Sequence, residues 1–435
     1  MPTFRIITLG CKVNQAESDS IGSRLAGTDW QPAHPSEEAE LCIINTCTVT
    51  RKAAMQSRQA VRQAIHANPK AFVAVTGCYA QTDPHALMNI KGLDCIIDQA
   101  GKACLPEILS TCGTAKCDRP ALLSGRPKHC QPVHALHAKP VAGRTRPCLK
   151  IQDGCDAFCT YCIVPYARGS SRSSEIQTVI AGIEHLAAQG FKEVVLTGVH
   201  IGLYGRELNP PVSLLDLLQC VDGLNISVRV RLSSIEPLEL TDEIIARVAA
   251  SDRFCRHFHI PLQSGDHDTL KRMGRPYSPE TFSARVRKIH DCMPDAAIGA
   301  DVLVGFPGET QAAFENTVQL IEDLPITYLH VFPFSARPGT PAHDFPGPVH
   351  PNQIKQRCTR MRELGSRKRL GFHRRFIGRH VQVLLESKRD KIGWLKGISS
   401  NYLPVLIEAG DECINQLVTV AIIQADAYRL RGKLV

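Results

Sequence analysis

Three cysteines stand in the octapeptide CDAFCTYC, at Cys155, Cys159 and Cys162, with spacings of four and three and no fourth ligand at either spacing. Three thiolates on one short loop can ligate three irons of a 4Fe-4S cluster and leave the fourth iron an exchangeable position. A ferredoxin-type carrier closes its cluster with a fourth cysteine, and structural zinc takes four ligands, usually from paired CxxC knuckles. Cys148 precedes the loop and the next histidines are His185 and His200, so neither alternative is completed nearby. A chance CxxxCxxC in a chain with 18 cysteines is the remaining reading, which the surrounding elements must decide.

A second set is dispersed. FRIITLGC ends at Cys11, LCIINTC at Cys47 and FVAVTGC at Cys78, each a short apolar, β-branched run followed by a small turn and a polar helical stretch. Such runs between helices read as buried parallel strands, and in parallel sheets ligands gather outside the carboxyl ends of the strands. Three cysteines at three equivalent strand ends are therefore expected to converge. Any one of them, taken singly, reads as a small buried hydrophobe.

The elements that must position these residues follow from pattern. Residues 1–112 form the first α/β domain, and residues 113–146, rich in Gly, Pro, Lys and His, read as a linker. His129, His134, His137 and Cys130 fall in it, and Cys104, Cys112, Cys117 and Cys130 match no zinc knuckle. Residues 147–350 carry six strand-like runs (CLKIQ, FKEVVLTG, SVRVRLSS, HFHIPLQ, IGADVLVGFPG and TYLHVFPF) with helical patterns between them. This predicts a partial (β/α)6 barrel with its chemistry on the loops after the strands, and CDAFCTYC lies on the first of these loops. Residues 351–375 read as a basic helix, and residues 376–435 alternate apolar and polar as a small antiparallel β-barrel. Cys42, Cys95, Cys220, Cys292 and Cys413 sit in apolar runs or regular elements and are expected to be core thiols.

Composition bounds the rest. Hydrophobic content of 43% and charged content of 21% are those of a globular enzyme, and no apolar run approaches the ~18 residues of a membrane span. The start, MPTFRIITLG, lacks a secretory pattern, so a reducing cytoplasm is expected, with thiols and metal sites rather than disulfides. Between Lys355 and Lys391 stand 13 Lys and Arg against Glu363, Glu386 and Asp390, which accounts for the whole +9 of the chain. A basic block so localised fits a polyanion partner, and equally a solvated helix face.

CDAFCTYC, following the first strand of a six-unit β/α block, resembles the cluster motif of the radical S-adenosylmethionine (SAM) superfamily. TLGCKVNQ, INTCTVT, VTGCYAQ and GCDAFCTYCIVPYARG narrow the resemblance to the methylthiotransferases, essentially end to end. The resemblance implies two 4Fe-4S clusters, one on Cys155, Cys159 and Cys162 with SAM on its open iron, the other on Cys11, Cys47 and Cys78 as sulfur carrier. It implies reductive cleavage of SAM to a 5′-deoxyadenosyl radical. SAM contacts map onto Thr197, Gly198 and His200 in LTGVH and onto Ser234 and Glu236 in SSIEP; both segments also read as ordinary strand-end turns. The terminal barrel is similar to the family's RNA-binding TRAM domain.

Known members modify a purine beside the tRNA anticodon or an aspartate of a ribosomal protein. Lys12, Val13, Thr48, Val49 and Tyr79 beside the cysteines resemble the branch acting on N6-threonylcarbamoyladenosine, with the isopentenyladenosine and ribosomal-protein branches as alternatives. Asp153 and Asp156 stand where Glu and Asn are commoner in the family. For an RNA target, Arg374, Arg375, Arg379, Lys388 and Arg389 are expected to grip phosphates, and Trp394 and Tyr402 either stack on an unpaired base or fill the barrel. The expected partners are the tRNA anticodon loop and an electron donor such as a flavodoxin or ferredoxin, for a monomer without membrane attachment. An RNA-binding module with purely structural clusters is the reading from another class.

Overall fold

The computed structural model describes residues 1–34, 36–125 and 144–435; Cys130, His129, His134 and His137 lie outside them. The chain divides into two compact units, one comprising Met1–Ala142, Cys148–Gly182 and Ser335–Thr340, the other Gly143–Pro147, Ile183–Phe334 and Pro341–Val435.

In the first unit, β1 (Thr3–Thr8), β2 (Gln31–Pro32), β3 (Leu41–Thr46), β4 (Phe72–Gly77), β5 (Cys95–Ile97) and β6 (Ala121–Leu123) form one parallel sheet in the order β2-β1-β3-β4-β5-β6. Helices α1 (Lys12–Ala26), α2 (Arg51–Ala67), α3 (Cys78–Thr82), α4 (Pro84–Met88) and α5 (Leu105–Cys112) connect the strands. Every residue of β3 and β4 is buried, and successive residues feed opposite cores. Ile44, Val73 and Val75 join one cluster with Val61, whereas Ile43 and Ala74 join another with Leu25. Burial on both faces explains why these strands read as continuous apolar runs. The same unit carries β7 (Cys148–Lys150), the hairpin of β8 (Gln152–Asp153) with β9 (Arg172–Ser173), and α6 (Val164–Arg168). The unit boundary falls within α7 (Ile176–Ala188).

In the second unit, β10 (Glu193–Thr197) runs parallel to β11 (Arg229–Leu232), and β12 (His257–Gln263), β13 (Ala297–Val304) and β14 (Tyr328–Pro333) form a parallel trio. With β7, all six strand-like runs of the central block are strands. Helices α8 (Leu214–Asp222), α9 (Asp242–Ala250), α10 (His267–Arg272), α11 (Pro279–Cys292) and α12 (Gln311–Asp323) alternate with them. Their starts are set by local chemistry: Ser213 and Asp216 make a capping box, and Thr241, Asp266, Ser278 and Thr310 accept from backbone N–H groups of the first turns. Two expected core thiols prove exposed, Cys220 and Cys292. The buried stripes are Leu214, Leu217, Leu218 and Val221 on α8 and Phe282, Val286 and Ile289 on α11, which leave both cysteines on the solvent side. Cys42 and Cys95 are buried as expected, and Cys413 is half-buried. Cys104 is disulfide-bonded, against the expectation of thiols only.

The basic α13 (Pro351–Arg374) leads into a closed barrel of β15 (His380–Arg389), β16 (Leu395–Ser399), β17 (Pro404–Ile407), β19 (Leu430–Leu434) and β18 (Leu417–Ala425) in that order. The expectation of an antiparallel barrel needs one correction: β17 and β19 pair in parallel, Val405 opposite Leu430. A ring of five strands cannot alternate direction all the way round, so one neighbouring pair must be parallel. Glu193 anchors this barrel. It is fully buried and receives Arg229 Nε at 2.5 Å and Arg231 Nε at 2.7 Å, while Arg229 donates to Ile398 O and Arg231 to Ser399 O and Ser400 O. Burial alone would raise the Glu193 pKa, but the two guanidiniums outweigh it and bring it down to about 2.

Removing one partner of such a group strands the other charges in a dry site, at about 3–5 kcal/mol. Glu193→Ala is therefore expected to lower the unfolding midpoint of the apoprotein in urea by that equivalent; an unchanged midpoint would show that Arg229 and Arg231 find other partners.

Candidate functional site

The three dispersed cysteines stand where the strand pattern put them. Cys11 precedes α1 after β1, Cys47 follows β3 and Cys78 begins α3 directly after β4, on adjacent parallel strands. Gly10 and Gly77 share φ +96°, and a Cβ on Gly10 would lie 2.8 Å from Cys47 Cβ and 2.9 Å from its Sγ. A glycine is required there for both conformation and room. Asn14 ties the strand ends together by donating from Nδ2 to Leu9 O at 2.7 Å and Thr46 O at 2.9 Å. Ser57 holds Cys47, accepting from its N–H at 3.1 Å and donating to its carbonyl at 2.9 Å. Gln99 Nε2 donates to Cys78 Sγ at 3.6 Å.

Cys47 and Cys78 are both 4% exposed, and Cys11 is exposed. Burial pushes the Cys47 thiol up to about 11; the thiols of Cys78 and Cys11 add to this, and a bond from the Val49 N–H and the charge of Arg168 oppose it. The three sulfurs thus act on one another electrostatically. Burial raises Cys78 as well, with Arg168 and Lys102 opposing.

The CxxxCxxC loop lies between β8 and α6. Gly154, at φ +74°, starts it where a Cβ would fall 2.0 Å from Ser170 O. The Cys155 N–H donates to Gly169 O at 3.0 Å, the Cys162 N–H to Cys159 O at 2.9 Å and the Ala157 N–H to Cys155 Sγ at 3.5 Å. Phe158, at φ +43° and exposed, meets Tyr166 edge to face at 5.7 Å. The helix after this loop, α6, packs against α3, the helix that Cys78 begins, so the two cysteine sets are neighbours within the first unit.

A buried charge network joins them, and sequence reasoning did not find it. Arg168, 5% exposed at the end of α6, donates to Glu17 Oε1 at 2.9 Å, Asp153 Oδ1 at 2.8 Å and Asn14 Oδ1 at 2.5 Å. Lys102 pairs with Glu17, and Lys150 reaches Glu17 at 3.0 Å and Asp153 at 3.1 Å. Burial alone would raise Glu17 and Asp153, yet the cations hold Glu17 well below the usual carboxylate range and Asp153 at about 2. Arg172 also stands 3.6 Å from Asp153, so four cations face these two carboxylates, and Arg168 acts on both Cys47 and Cys78 as opposing charge. The signals were present in quoted motifs: Asn14 in TLGCKVNQ, Arg168 in PYARG and Asp153 ahead of the loop.

The donor set discriminates between metals. Four thiolates at about 2.3 Å from one zinc lie within about 4 Å of each other. Among the described residues the group of three donors within 4.8 Å is His259, Asp301 and His330, and neither cysteine set is drawn that tight. Soft thiolates held apart, with countercharge behind Cys47 and Cys78, fit an iron-sulfur cluster better than a single ion.

The SAM candidates lie in the second unit at the carboxyl ends of β10 and β11. Thr197 is buried, Gly198 and His200 follow it, His200 Nε2 stands 3.5 Å from Glu239, and Glu236, next but one to Ser234, pairs with Arg275. The RNA candidates divide. Arg375 and Arg379 are paired with Asp295, and Arg389 with Asp411. Arg374 and Lys388 are exposed with no ion pair among the described residues. Further up α13, Arg357, Arg360 and Arg367 pair with Glu309, Glu315 and Glu322, so the bland reading accounts for part of the basic block. Trp394 is half-buried under Arg431, whose guanidinium carbon is 5.5 Å from the ring centre. Tyr402, half-buried, packs on His257 at 4.3 Å and beside Tyr328, against the barrel core.

Residues 3–98 match the family described as Uncharacterized protein family UPF0004, and residues 149–321 the Radical SAM superfamily. The chain is 36% identical over 433 residues to a threonylcarbamoyladenosine tRNA methylthiotransferase of Bacillus subtilis, covering 98% of this chain and 94% of that protein. The chain belongs to the radical SAM methylthiotransferase family. A Rickettsia prowazekii enzyme of the same description is 36% identical over 93% of this chain and 91% of its own length. A tRNA-2-methylthio-N(6)-dimethylallyladenosine synthase of Clostridium tetani is 32% identical over 99% of this chain and 96% of its own length. Among solved structures, the radical SAM methyltransferase TsrM of Kitasatospora setae shares the fold, with a TM-score of 0.55 at 16% identity over 79% of this chain and 75% of that one.

In this methylthiotransferase the network at Arg168 is directly testable. Arg168→Met should cost about 3–5 kcal/mol in urea unfolding of the apoprotein, and Arg168→Met with Glu17→Gln less than the sum of the single changes. Additive effects would dissolve the network. Because the folded-state pKa of Asp153 is depressed, its contribution is complete above the ordinary value near 4 and is lost as the pH falls toward 2. Asp153→Asn should accordingly flatten the acid limb of stability against pH; an unchanged limb would exclude that linkage.

Proposed function

We propose that the chain inserts a methylthio group at carbon-2 of N6-threonylcarbamoyladenosine next to the anticodon of tRNA. The observation that carries this reading is the end-to-end identity of 36% to threonylcarbamoyladenosine tRNA methylthiotransferases. The second substrate, isopentenyladenosine, is favoured by the 32% identity to the Clostridium tetani enzyme. Residues beside the cysteines speak for the first: the guanidiniums of Arg58 and Arg337, held by the hydroxyls of Tyr79 and Thr48, suit a polar, acidic side chain rather than an apolar one.

In this reading Cys155, Cys159 and Cys162 hold one 4Fe-4S cluster with SAM, and Cys11, Cys47 and Cys78 hold the second. When bound, the first cluster with SAM supplies a hydrogen-abstracting carbon radical and the second supplies sulfur, which an unactivated ring carbon with no acidic proton requires. The protein's own part is position and charge. Arg168 holds the loop after Cys162 against the helix after Cys11, and so fixes the separation of the two sets. Gln99 donates to the Cys78 sulfur and the Ala157 N–H to the Cys155 sulfur, and these bonds orient both side chains. Thr197, Gly198, His200, Ser234 and Glu236 are the candidates for SAM. Arg374 and Lys388 are the cations left to meet phosphate, with Arg375, Arg379 and Arg389 available on exchange of their carboxylate partners, and Trp394 offers one ring edge. The barrel acts as the TRAM-like RNA grip. An electron donor such as a flavodoxin or ferredoxin supplies the reducing equivalent, and the protein works as a cytoplasmic monomer; among the described residues no helix is long and apolar enough to cross a membrane.

Cys11→Ala should keep SAM cleavage under reducing, anaerobic conditions while losing methylthio insertion, and Cys159→Ala should lose both. Iron and acid-labile sulfide should each be about eight per wild-type chain and about four in either variant. Full product from Cys11→Ala would remove the sulfur-carrier role. Unchanged methylthiolated threonylcarbamoyladenosine in nucleosides from cells lacking the protein would remove the substrate.

A further inference from the structure

The start of α2 and the segment Ser335–Thr340 gather cations that make no ion pair among the described residues. Arg51 and Arg58 are seven residues apart on α2 and so lie on one stripe of the helix. Ser335 Oγ accepts from the Arg51 N–H at 3.0 Å, and Arg337 Nη2 donates to Thr48 Oγ1 at 2.7 Å. Arg337 is 9% exposed and its Nε is buried with no hydrogen-bond partner. Arg58 Nη1 donates to the Tyr79 hydroxyl at 2.6 Å, which in turn donates to Asp83 Oδ2 at 3.2 Å. Asp83 spends its other oxygen capping α4 through the Ala86 N–H. None of the three arginines makes an ion pair among the described residues. A buried, incompletely bonded guanidinium beside two further cations is costly unless something anionic joins it. Burial, with Arg51 and Arg58 adding, accordingly holds Arg337 below the ordinary guanidinium value, against the pull of Tyr79 and Asp83.

The place of this cluster gives it meaning. Thr48 follows Cys47 and Tyr79 follows Cys78, so the cluster is built on the residues next to two of the sheet-end cysteines. We propose that Arg58 and Arg337, with Arg51 at the rim, form an anion subsite that takes the carboxylate of the threonylcarbamoyl side chain and thereby selects the substrate. This rests on the methylthiotransferase reading above. The side chain it would admit carries a free carboxylate, for which a guanidinium fork is the matching donor, while the Thr48 and Tyr79 hydroxyls hold Arg337 and Arg58 in place. An isopentenyl group offers no carboxylate and would leave the arginines stranded.

The test uses the full-length protein and an anticodon stem-loop RNA carrying either threonylcarbamoyladenosine or its methyl ester, with Kd from fluorescence anisotropy and product from mass spectrometry. The wild type should bind the acid about tenfold or more tighter than the ester, the effect of one charge-assisted pair. Arg58→Gln should abolish that preference by weakening acid binding while leaving ester binding unchanged, and Arg58→Lys should restore part of it. Arg337→Lys, which keeps the charge but not the fork, should reduce it. Equal affinity of the wild type for acid and ester, or an equal loss on both RNAs in Arg58→Gln, overturns the subsite. A wild type that prefers the acid yet forms no methylthio product keeps the subsite and overturns the reaction instead.

Discussion

The buried guanidinium of Arg168 is the constraint on which the arrangement of the first unit turns. It sits at the end of the short helix after CxxxCxxC and is held by Glu17 and Asn14 from the helix after Cys11, and by Asp153 from the strand before the loop. Charges this dry are weak contributors to net stability, because desolvation offsets most of their attraction. What they supply is a single geometry: any slip of α6 against α1 strands a cation and two carboxylates at once. A hydrophobic contact of the same size would tolerate such a slip. The arrangement is therefore suited to fixing one sulfur set against another, more than to holding the unit together.

How much of this could be read from residues alone depended on range. The strands announced themselves because their buried residues are mostly apolar and β-branched and run without interruption, and the cysteines announced themselves by closing those strands. The network did not, because its members are 151 and 154 residues apart and each has an ordinary surface reading alone. Asp153 was visible as a departure from the usual residue, yet its meaning comes only from the partners that burial brings to it. The parallel β17–β19 pair was missed for another reason: alternation shows that a segment is strand, and the direction of its neighbour follows only from counting the ring. Cys220 and Cys292 were misplaced because an apolar helix still has an outer stripe.

The basic block illustrates the same limit in electrostatics. Thirteen cations between Lys355 and Lys391 looked like a surface for a polyanion. Among the described residues six of them are paired, three on α13 with Glu309 just before α12 and with Glu315 and Glu322 on it, and three around the terminal barrel. Net charge survives pairing only in part, and the exposed pairs are weak enough for a phosphate to compete for them. Tyr402 and Trp394, equal candidates by sequence, part company because one closes an aromatic cluster with His257 and Tyr328 while the other stays at a turn under Arg431.

The position of Arg168 also bears on how the sheet-end sulfurs become ligands. With its pKa near 11, Cys47 is protonated at neutral pH in the empty protein, so any metal that takes it must displace a proton from a buried group. The burial that raises this thiol is built into the end of the sheet. Opposing charge placed behind the sulfurs is the remaining lever, and Arg168 acts on both Cys47 and Cys78, joined at Cys78 by Lys102. Glu17 and Asp153 would cancel that charge if they matched it, but they are two against the four cations Lys102, Lys150, Arg168 and Arg172. That surplus is thus what lets one network both orient the second cysteine loop and ease the ionisation of the first set.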